Sequence, residues 1–549
     1  MPLVNQLLER VQLERFLRQY LPRDGRRMAV PTSRGLLLLL RNILLSREPI
    51  YGLGEWAERF VPAQLGLREA DGEHLNDDRI GRCLDRLFQA DVPSLVLDVV
   101  RHVVKTFQVS LDELHNDSTT ISFYGAYDDA AQEEPRGTRQ RLAVLFGHSK
   151  DHRPDLKQLL YILTVTEDGG VPVYFTTASG NVTDDTTHRE TWDLLRQLVG
   201  GPDFLYVADC KLATRENLQY IHNQGGRFVT ILPRTRREDT EFRQRLRSDP
   251  DALAWDHLYD SDDAGEPIVD RLRVCAEPAL SSEGFRVLWF HSTRKAHRDA
   301  MTRTRAIERA CQELAALQER LQAPRTRFRE RVKVETAVAE ILQQREVTRW
   351  LEVTIHEVPQ EEFKQTKRGR PGKDTQYVKE TRLRYRLAWQ LQTAQIQEDE
   401  FTDGVFPLIT NQRDMAACEI LQAYKRQPLI EKRFSQFKTD FEVAPVYLKE
   451  VTRIQAMLCV YFFALMVQTL LEREIRQALA SSEYDAIPLY PERRACRAPS
   501  TRRILDIFDN IQRHTLTGGS ESQTFVTQLT PLQRQIASWF GIPSRQYGR

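Results

Sequence analysis

Four short apolar runs between residues 158 and 232 constrain this chain more than anything else in it. They are QLLYILTV (158–165), VPVYFTT (171–177), FLYVAD (204–209) and RFVTIL (227–232). Helical patterns, THRETWDLLRQLV and TRENLQYIHNQ, fall between the later ones. Two strands close together, followed by strand–helix–strand, predict a mixed sheet covered by helices, an α/β core.

The flanks read differently. Residues 1–105 form a helical N-terminal domain, opened by LLERVQLERFLRQYL and RGLLLLLRNILL. Its first 50 residues hold nine Arg against four acids, which suits DNA-end binding or a dimer contact, or else a plain helical domain with a solvated Arg face. In EHLNDDRIGRCLDRLFQA the apolar residues Ile80, Cys83, Leu84 and Leu87 keep helical spacing. The core's first part spans 106–235. An insertion of long helices and β strands follows over 236–400, with strands expected at 347–358 and 377–393. The core resumes over 401–480, and 481–549 is a tail with one late helix, PLQRQIASWFG.

Ile454 to Leu471 is an uncharged 18-residue run, the lower edge of a membrane span. Gln455 and Gln468 interrupt it, and Arg453 and Glu472 flank it, so it reads as a buried core helix and no membrane contact is expected. Lys plus Arg (78) nearly balances Asp plus Glu (77), which excludes a uniformly basic coat but not a basic face. Seven cysteines lack CxxC spacing, so neither a disulfide framework nor a cysteine zinc site is suggested, and a reducing cytoplasm is the simplest home. No P-loop or GxSxG motif occurs, so no nucleotide cofactor and no serine hydrolase is expected.

Three acids stand out. Asp117 sits in LDELHNDSTTISFYGAY, where alternation suggests a strand through it. Asp209 ends FLYVAD, at the tip where α/β sheets bind ligands. Glu431 lies in AYKRQPLIEKRFSQFKTDF, where helical counting puts Tyr424, Gln427, Glu431 and Lys438 within about 60° of one face. Each has a structural alternative: an Asx turn for Asp117, a helix N-cap for Asp209, a solvated helix face for Glu431. Together they make a different sense. Two Mg²⁺ ions held by a few carboxylates can activate a water or hydroxyl and steady the leaving oxygen of a phosphodiester.

The blocks HNDSTTISFYG, VADCKLATRENL and YKRQPLIEKRFSQFK resemble, in order, the three catalytic blocks of DDE transposases from bacterial insertion sequences. The branch they resemble carries a β-rich insertion between the second and third acids. LNDDRIGRCLDRLF and FEVAPVYLKEVTRIQAMLCVYFFALMVQTLLEREIR are similar to its N-terminal and post-catalytic blocks. The resemblance implies an RNase H-like core with Asp117, Asp209 and Glu431 as catalytic, metal-binding acids, and Mg²⁺ or Mn²⁺ as cofactor. It implies cleavage at element ends, in related members through a hairpin, and joining of the freed 3′-hydroxyl to target DNA. The partners implied are terminal inverted repeats, target DNA and a second copy of the chain, in a bacterial cytoplasm and at the nucleoid when DNA-bound. The branch's Tyr, Arg, Glu, Lys signature matches at Tyr424, Glu431 and Lys438. Gln427 replaces the Arg and Arg426 stands beside it, so all four flanking positions are carried as DNA contacts. Cys210 and Lys211 follow Asp209 where members tend to have a small residue and an aromatic.

KRGRPGK (Lys367–Lys373) resembles a minor-groove AT-hook core, with Arg368 and Arg370 as the groove residues, or else is a solvated basic loop. The polar stretch Gly147–Gln158 lies near the expected site and suits phosphates. His148, His152 and His188 lack ligand spacing and are expected at the surface. Trp289, Trp350 and Trp389 are expected in a β core, or else one of them stacks on an extruded base. Two alternatives to a transposase remain at this level: a nuclease on the same fold that does not join strands, and an inactive transposase-derived DNA-binding protein.

Overall fold

The computed structural model describes residues 1–549 other than 26, 27, 29, 138, 263–266, 367, 368, 370, 371, 373, 374, 444–447, 491, 493, 519, 520, 544–546, 548 and 549. The chain divides into two compact units: residues 1–230 with 410–549, and residues 231–409.

The first unit opens with the α-helices α1 (Pro2–Val11), α2 (Leu13–Tyr20), α3 (Thr32–Leu45), α4 (Leu53–Glu58), α5 (Asp77–Gln89) and α6 (Val92–Phe107). Asn76 caps α5, accepting the Arg79 N–H at 2.8 Å. The four apolar positions of α5 picked out by spacing are all buried. Gly35 lets α3 press on α5, because a Cβ there would stand 2.6 Å from Cys83 Sγ.

Next come β1 (Glu113–Phe123), the small hairpin β2 (Glu134–Arg136) and β3 (Arg139–Arg141), then β4 (Lys157–Thr166) and β5 (Pro172–Ser179). Helix α7 (His188–Val199), β6 (Leu205–Ala208), α8 (Arg215–Asn223) and β7 (Arg227–Ile231) follow. Within this unit the strands lie in the order β5-β4-β1-β6-β7, part of a longer sheet. β4 runs antiparallel to both β1 and β5, whereas β1, β6 and β7 are parallel. That is the mixed sheet which the spacing of the apolar runs predicts, and its order is RNase H-like. Its central strands are buried on both faces, which is why they read as continuous apolar runs and not as alternation.

The second unit holds α9 (Arg237–Ser248), β8 (Trp255–Ser261), β9 (Asp270–Cys275), β10 (Ala279–Leu280), β11 (Arg286–Ser292), α10 (Thr293–Gln322), α11 (Arg331–Gln344), β12 (Leu351–Gln365), β13 (Tyr377–Leu391), α12 (Thr393–Glu400) and β14 (Val405–Thr410). β8, β9 and β11 form an antiparallel run that the sequence pattern does not announce. β12 and β13 make a ribbon registered from Leu351–Leu391 to Gln365–Tyr377. Its base packs on α10 and α11 through Leu314, Leu317, Val334, Tyr385 and Leu387. Trp289 is buried and stacks on Phe242, 3.9 Å between centroids, so it is a core residue.

The chain returns to the first unit with α13 (Ala417–Lys425), α14 (Pro428–Ser435), a π-helical turn (Gln436–Asp440) and α15 (Val451–Ala480). α15 contains the uncharged run. It packs against α1, α3, α5 and β5, and 89% of its most apolar 18-residue window is buried. Glu472, fully buried on α15, receives Arg433 Nη1 and Gln436 Nε2, both at 2.8 Å. The tail is less bare than its composition suggests. Beyond the bridge of β15 (Ile487–Pro488) and β16 (Ala495–Cys496) it adds α16 (Thr501–Asp506), a hairpin of β17 (Arg513–Gly518) and β18 (Glu521–Val526), and α17 (Pro531–Trp539).

Candidate active site

Asp117 is the one position of β1 that is not fully buried. The strand's parallel register with β6 ends at Asn116 opposite Ala208. One residue further along each strand stand Asp117 and Asp209. Neighbouring strands lie about 4.8 Å apart, so the fold sets these two acids side by side. Burial, with Asp184 adding to it, raises the Asp117 carboxyl above its ordinary range. Burial and then the charge of Asp117 push Asp209 up to about 6.

Asp209 does not cap the following helix. Thr214 caps α8, and Asp209 Oδ1 instead accepts the Lys211 N–H at 3.0 Å in a tight turn. The Asp209 carbonyl is held by Thr230 Oγ1 at 2.6 Å, which ties the tip of β6 to β7.

Glu431 is exposed on α14, and α14 packs on β1 and β4. Tyr424, on α13, senses all three acids: burial first, then Asp209, Glu431 and Asp117, raise its phenol. Among the described residues no group of three or more His, Cys, Asp or Glu side chains stands ready to hold a metal ion. The helix around Glu431 is also not continuous. Pro428 starts α14 afresh and Lys438 lies in the π turn, so counting at 100° per residue does not hold from Tyr424 to Lys438.

Arg426, partly exposed, and Gln427, buried, both bond within the protein. Arg426 Nε donates to Glu113 Oε1 at 2.6 Å, and its Nη2 pairs with Glu113 Oε2. Gln427 is buried. Its Nε2 donates to the Asn116 carbonyl at 3.1 Å, and its Oε1 meets His115 Nδ1 at 2.8 Å. His115 Nε2 in turn meets Glu113 Oε1 at 2.8 Å. These bonds tie the start of α14 to β1 beside Asp117. Lys438 pairs with exposed Asp151 at 2.6 Å. Arg368 and Arg370 lie outside the described residues.

Two charged residues carry no clear mark in the sequence. Lys150 Nζ lies 3.1 Å from Asp117 Oδ1 and 3.0 Å from Asp184 Oδ2. Burial alone would lower the Lys150 amine, but Asp117 and Asp184 outweigh it and raise it. The stretch Gly147–Gln158 signals a basic loop near the site without singling out Lys150. Asp184, in a run of short polar residues before α7, gives no signal. His188 is a correction: it is buried, its Nδ1 meets Tyr206 Oη at 3.0 Å, and burial lowers its ring to about 4. His148 and His152 are exposed.

A family model described as a domain of unknown function, DUF4277, matches residues 1–101. No curated protein matches the chain. Among solved structures, a piggyBac transposase synaptic complex with hairpin DNA aligns at 10% identity and TM-score 0.24, over 53% of this chain and 58% of that one. A pre-cleavage Mos1 transpososome aligns at 9% identity and TM-score 0.14, over 38% and 60%. The Mos1 transposase paired-end complex with left transposon end gives the same figures. The chain thus spans less than two thirds of each of these three structures, and at these scores the likeness assigns no activity.

Proposed function

We propose that the chain is a DDE-class DNA transposase of a bacterial insertion sequence. The observation that carries this reading is the register that sets Asp117 beside Asp209 at the end of an RNase H-like sheet, with the Glu431 helix packed on the Asp117 strand β1 and its neighbour β4. The three catalytic blocks resembling that family supply those same acids in chain order.

The donor set suits Mg²⁺, or Mn²⁺ in its place. Carboxylate oxygens are hard ligands, and Mg²⁺ keeps several of its waters, so few side chains suffice. Two desolvated aspartates, Asp209 raised further by Asp117 and Asp117 by Asp184, are short of positive charge, which a divalent ion supplies. Asp117, Asp209 and Glu431 are the residues that would hold it. Bound there, a pair of ions would activate the attacking oxygen and steady the leaving one.

The chain's own groups do the rest. Lys438, on leaving Asp151, and Tyr424 contact the DNA strand near the acids, while Arg368 and Arg370 reach a minor groove. Arg426 and Gln427 hold the Glu431 helix in place. The reaction cuts DNA at the inverted repeats and joins the freed 3′-hydroxyl to target DNA. Two ends call for two copies, hence a homodimer working in the cytoplasm at the nucleoid.

The test is strand transfer of a pre-cleaved inverted-repeat end into a target plasmid with Mg²⁺. Joined product is expected, and Asp117→Asn should abolish cleavage while end binding persists. Cleavage without joined product would make the chain a nuclease. Unchanged cleavage by Asp117→Asn would remove Asp117 from the site.

A further inference from the structure

Lys150 has all three of its ammonium protons engaged. They go to Asp117 Oδ1 at 3.1 Å, the Ser118 carbonyl at 2.8 Å and Asp184 Oδ2 at 3.0 Å. The loop that carries it is tied to β1, since the Lys150 N–H donates to Thr120 Oγ1 at 3.2 Å. Asp117 Oδ1 also accepts the Ser118 N–H at 2.7 Å, so both protein donors to this carboxylate fall on one oxygen. All four charged groups here, Asp117, Asp184, Asp209 and Lys150, are at least partly shielded from water.

A divalent ion and an ammonium cannot share this pocket undisturbed. Even two unit charges about 4 Å apart repel strongly at the effective dielectric of a protein surface, and a divalent ion doubles that. An ion on Asp117 therefore has to displace the ammonium. Asp184 is placed to keep it, because it already holds the opposite side of Lys150 and lies off both strands that carry Asp117 and Asp209.

We propose that Lys150 is a tethered counter-cation that occupies Asp117 until a divalent ion replaces it, and that Asp184 is the carboxylate that retains the displaced ammonium. The inference rests on the two-ion reading of the site. In the ion-free protein Lys150 keeps Asp117 and Asp209 from repelling each other out of register. In the loaded protein its amine, still on Asp184, faces the strand whose phosphate enters. Lys150 and Asp184 are positioning residues in this account, and the ligands remain Asp117, Asp209 and Glu431.

The experiment is Mn²⁺ binding to the full chain without DNA, read by the electron paramagnetic resonance signal of free Mn²⁺. Lys150→Met should tighten binding by about tenfold or more, the scale of one removed unit charge at that distance. Asp184→Asn should weaken binding when Lys150 is present and change nothing in the Lys150→Met background, because its effect runs through the lysine. Lys150→Gln repeats the first arm with a polar side chain, and thermal melting without Mn²⁺ identifies a variant that has not folded. Unchanged affinity in both folded Lys150 variants overturns the proposal. Equal weakening by Asp184→Asn in both backgrounds also overturns it, by making Asp184 an ion ligand. Asp117→Asn separates the two levels. If it keeps full Mn²⁺ affinity, the active-site reading itself fails; if it loses Mn²⁺ while the lysine variants change nothing, only this inference does.

Discussion

Along the ribbon of β12 and β13, charged side chains answer one another. Lys379 pairs with Glu361 at 2.6 Å, Arg382 with Glu362 at 3.1 Å, and Lys364 with Glu380. At the end of the RNase H-like sheet the balance is different: Asp117, Asp184 and Asp209 share one lysine. The ribbon's charges are exposed and matched, so they keep a long two-stranded element soluble at little energetic consequence. The sheet end concentrates negative charge where burial makes it unfavourable. A fold keeps such an arrangement when something outside the chain supplies the missing positive charge, and perturbed carboxylates gather at functional sites for that reason.

The sharpest break of this contrast is Asp117→Asn. Cleavage should fall on the order of 10³-fold or more, the scale of removing a group that acts at the transition state. Melting temperature without metal should hold or rise, because a partly buried charge that repels Asp209 is gone. A matched loss of activity and stability would mean that the sheet end is ordinary structure.

Arg433→Leu tests the opposite case, a charge that is buried and fully answered. Arg433 reaches Glu472 at 2.8 Å, Gln436 Oε1 at 2.6 Å and the Gly170 carbonyl at 3.0 Å. Removing it strands Glu472 in the core and should cost about 3–5 kcal/mol in urea unfolding. Arg433 lies two residues from Glu431, so activity should fall as well, but Arg433→Leu with Glu472→Leu should recover much of the stability.

The contrast also explains what could be read from the sequence. The sheet was legible because β4, β6 and β7 are buried on both faces and so leave unbroken apolar runs. β8 was not, because it is nowhere fully buried and carries no regular alternation, and β9 was not, because its alternation lasts only six positions. Asp209 could be named because it stands where an apolar strand ends, and Asp117 because it is an acid inside a strand pattern. Lys150 and Asp184 could not, because they meet only through loops whose path no periodicity records. The burial of Gln427 against His115 and Asn116 is likewise a tertiary fact that its signature position does not record. The hairpin of β17 and β18 escaped because its strands are short and mostly polar.

A smaller effect is a pH dependence at Asp209. Its carboxyl titrates at about 6 in the fold against 3.8 for an unperturbed aspartate. Between those values the folded chain holds a proton that the unfolded chain has released, so stability falls as pH rises from about 4 to about 6. The contribution is at most about 3 kcal/mol, since each tenfold difference in proton affinity is worth about 1.36 kcal/mol. Urea titrations across that range should show the decline in the metal-free protein. Asp209→Asn should flatten it, and millimolar Mg²⁺ should reduce it.

The smallest effect belongs to the ribbon, and it bounds the comparison from the other side. Lys379 and Glu361 are each about half exposed, with side-chain exposures of 54% and 56%. Such a pair gains little Coulomb energy in water and gives up side-chain freedom to form, so its coupling should be about 0.2–1 kcal/mol and should shrink in high salt. A double-mutant cycle of Lys379→Ala and Glu361→Ala, followed by urea unfolding at low and high salt, measures it. The same salt change should leave the cost of Arg433→Leu nearly intact, because that pair is shielded from ions. A ribbon coupling as large and as salt-resistant as the buried one would mean that the ribbon face is covered, and that its matched charges are structural and not merely solvated.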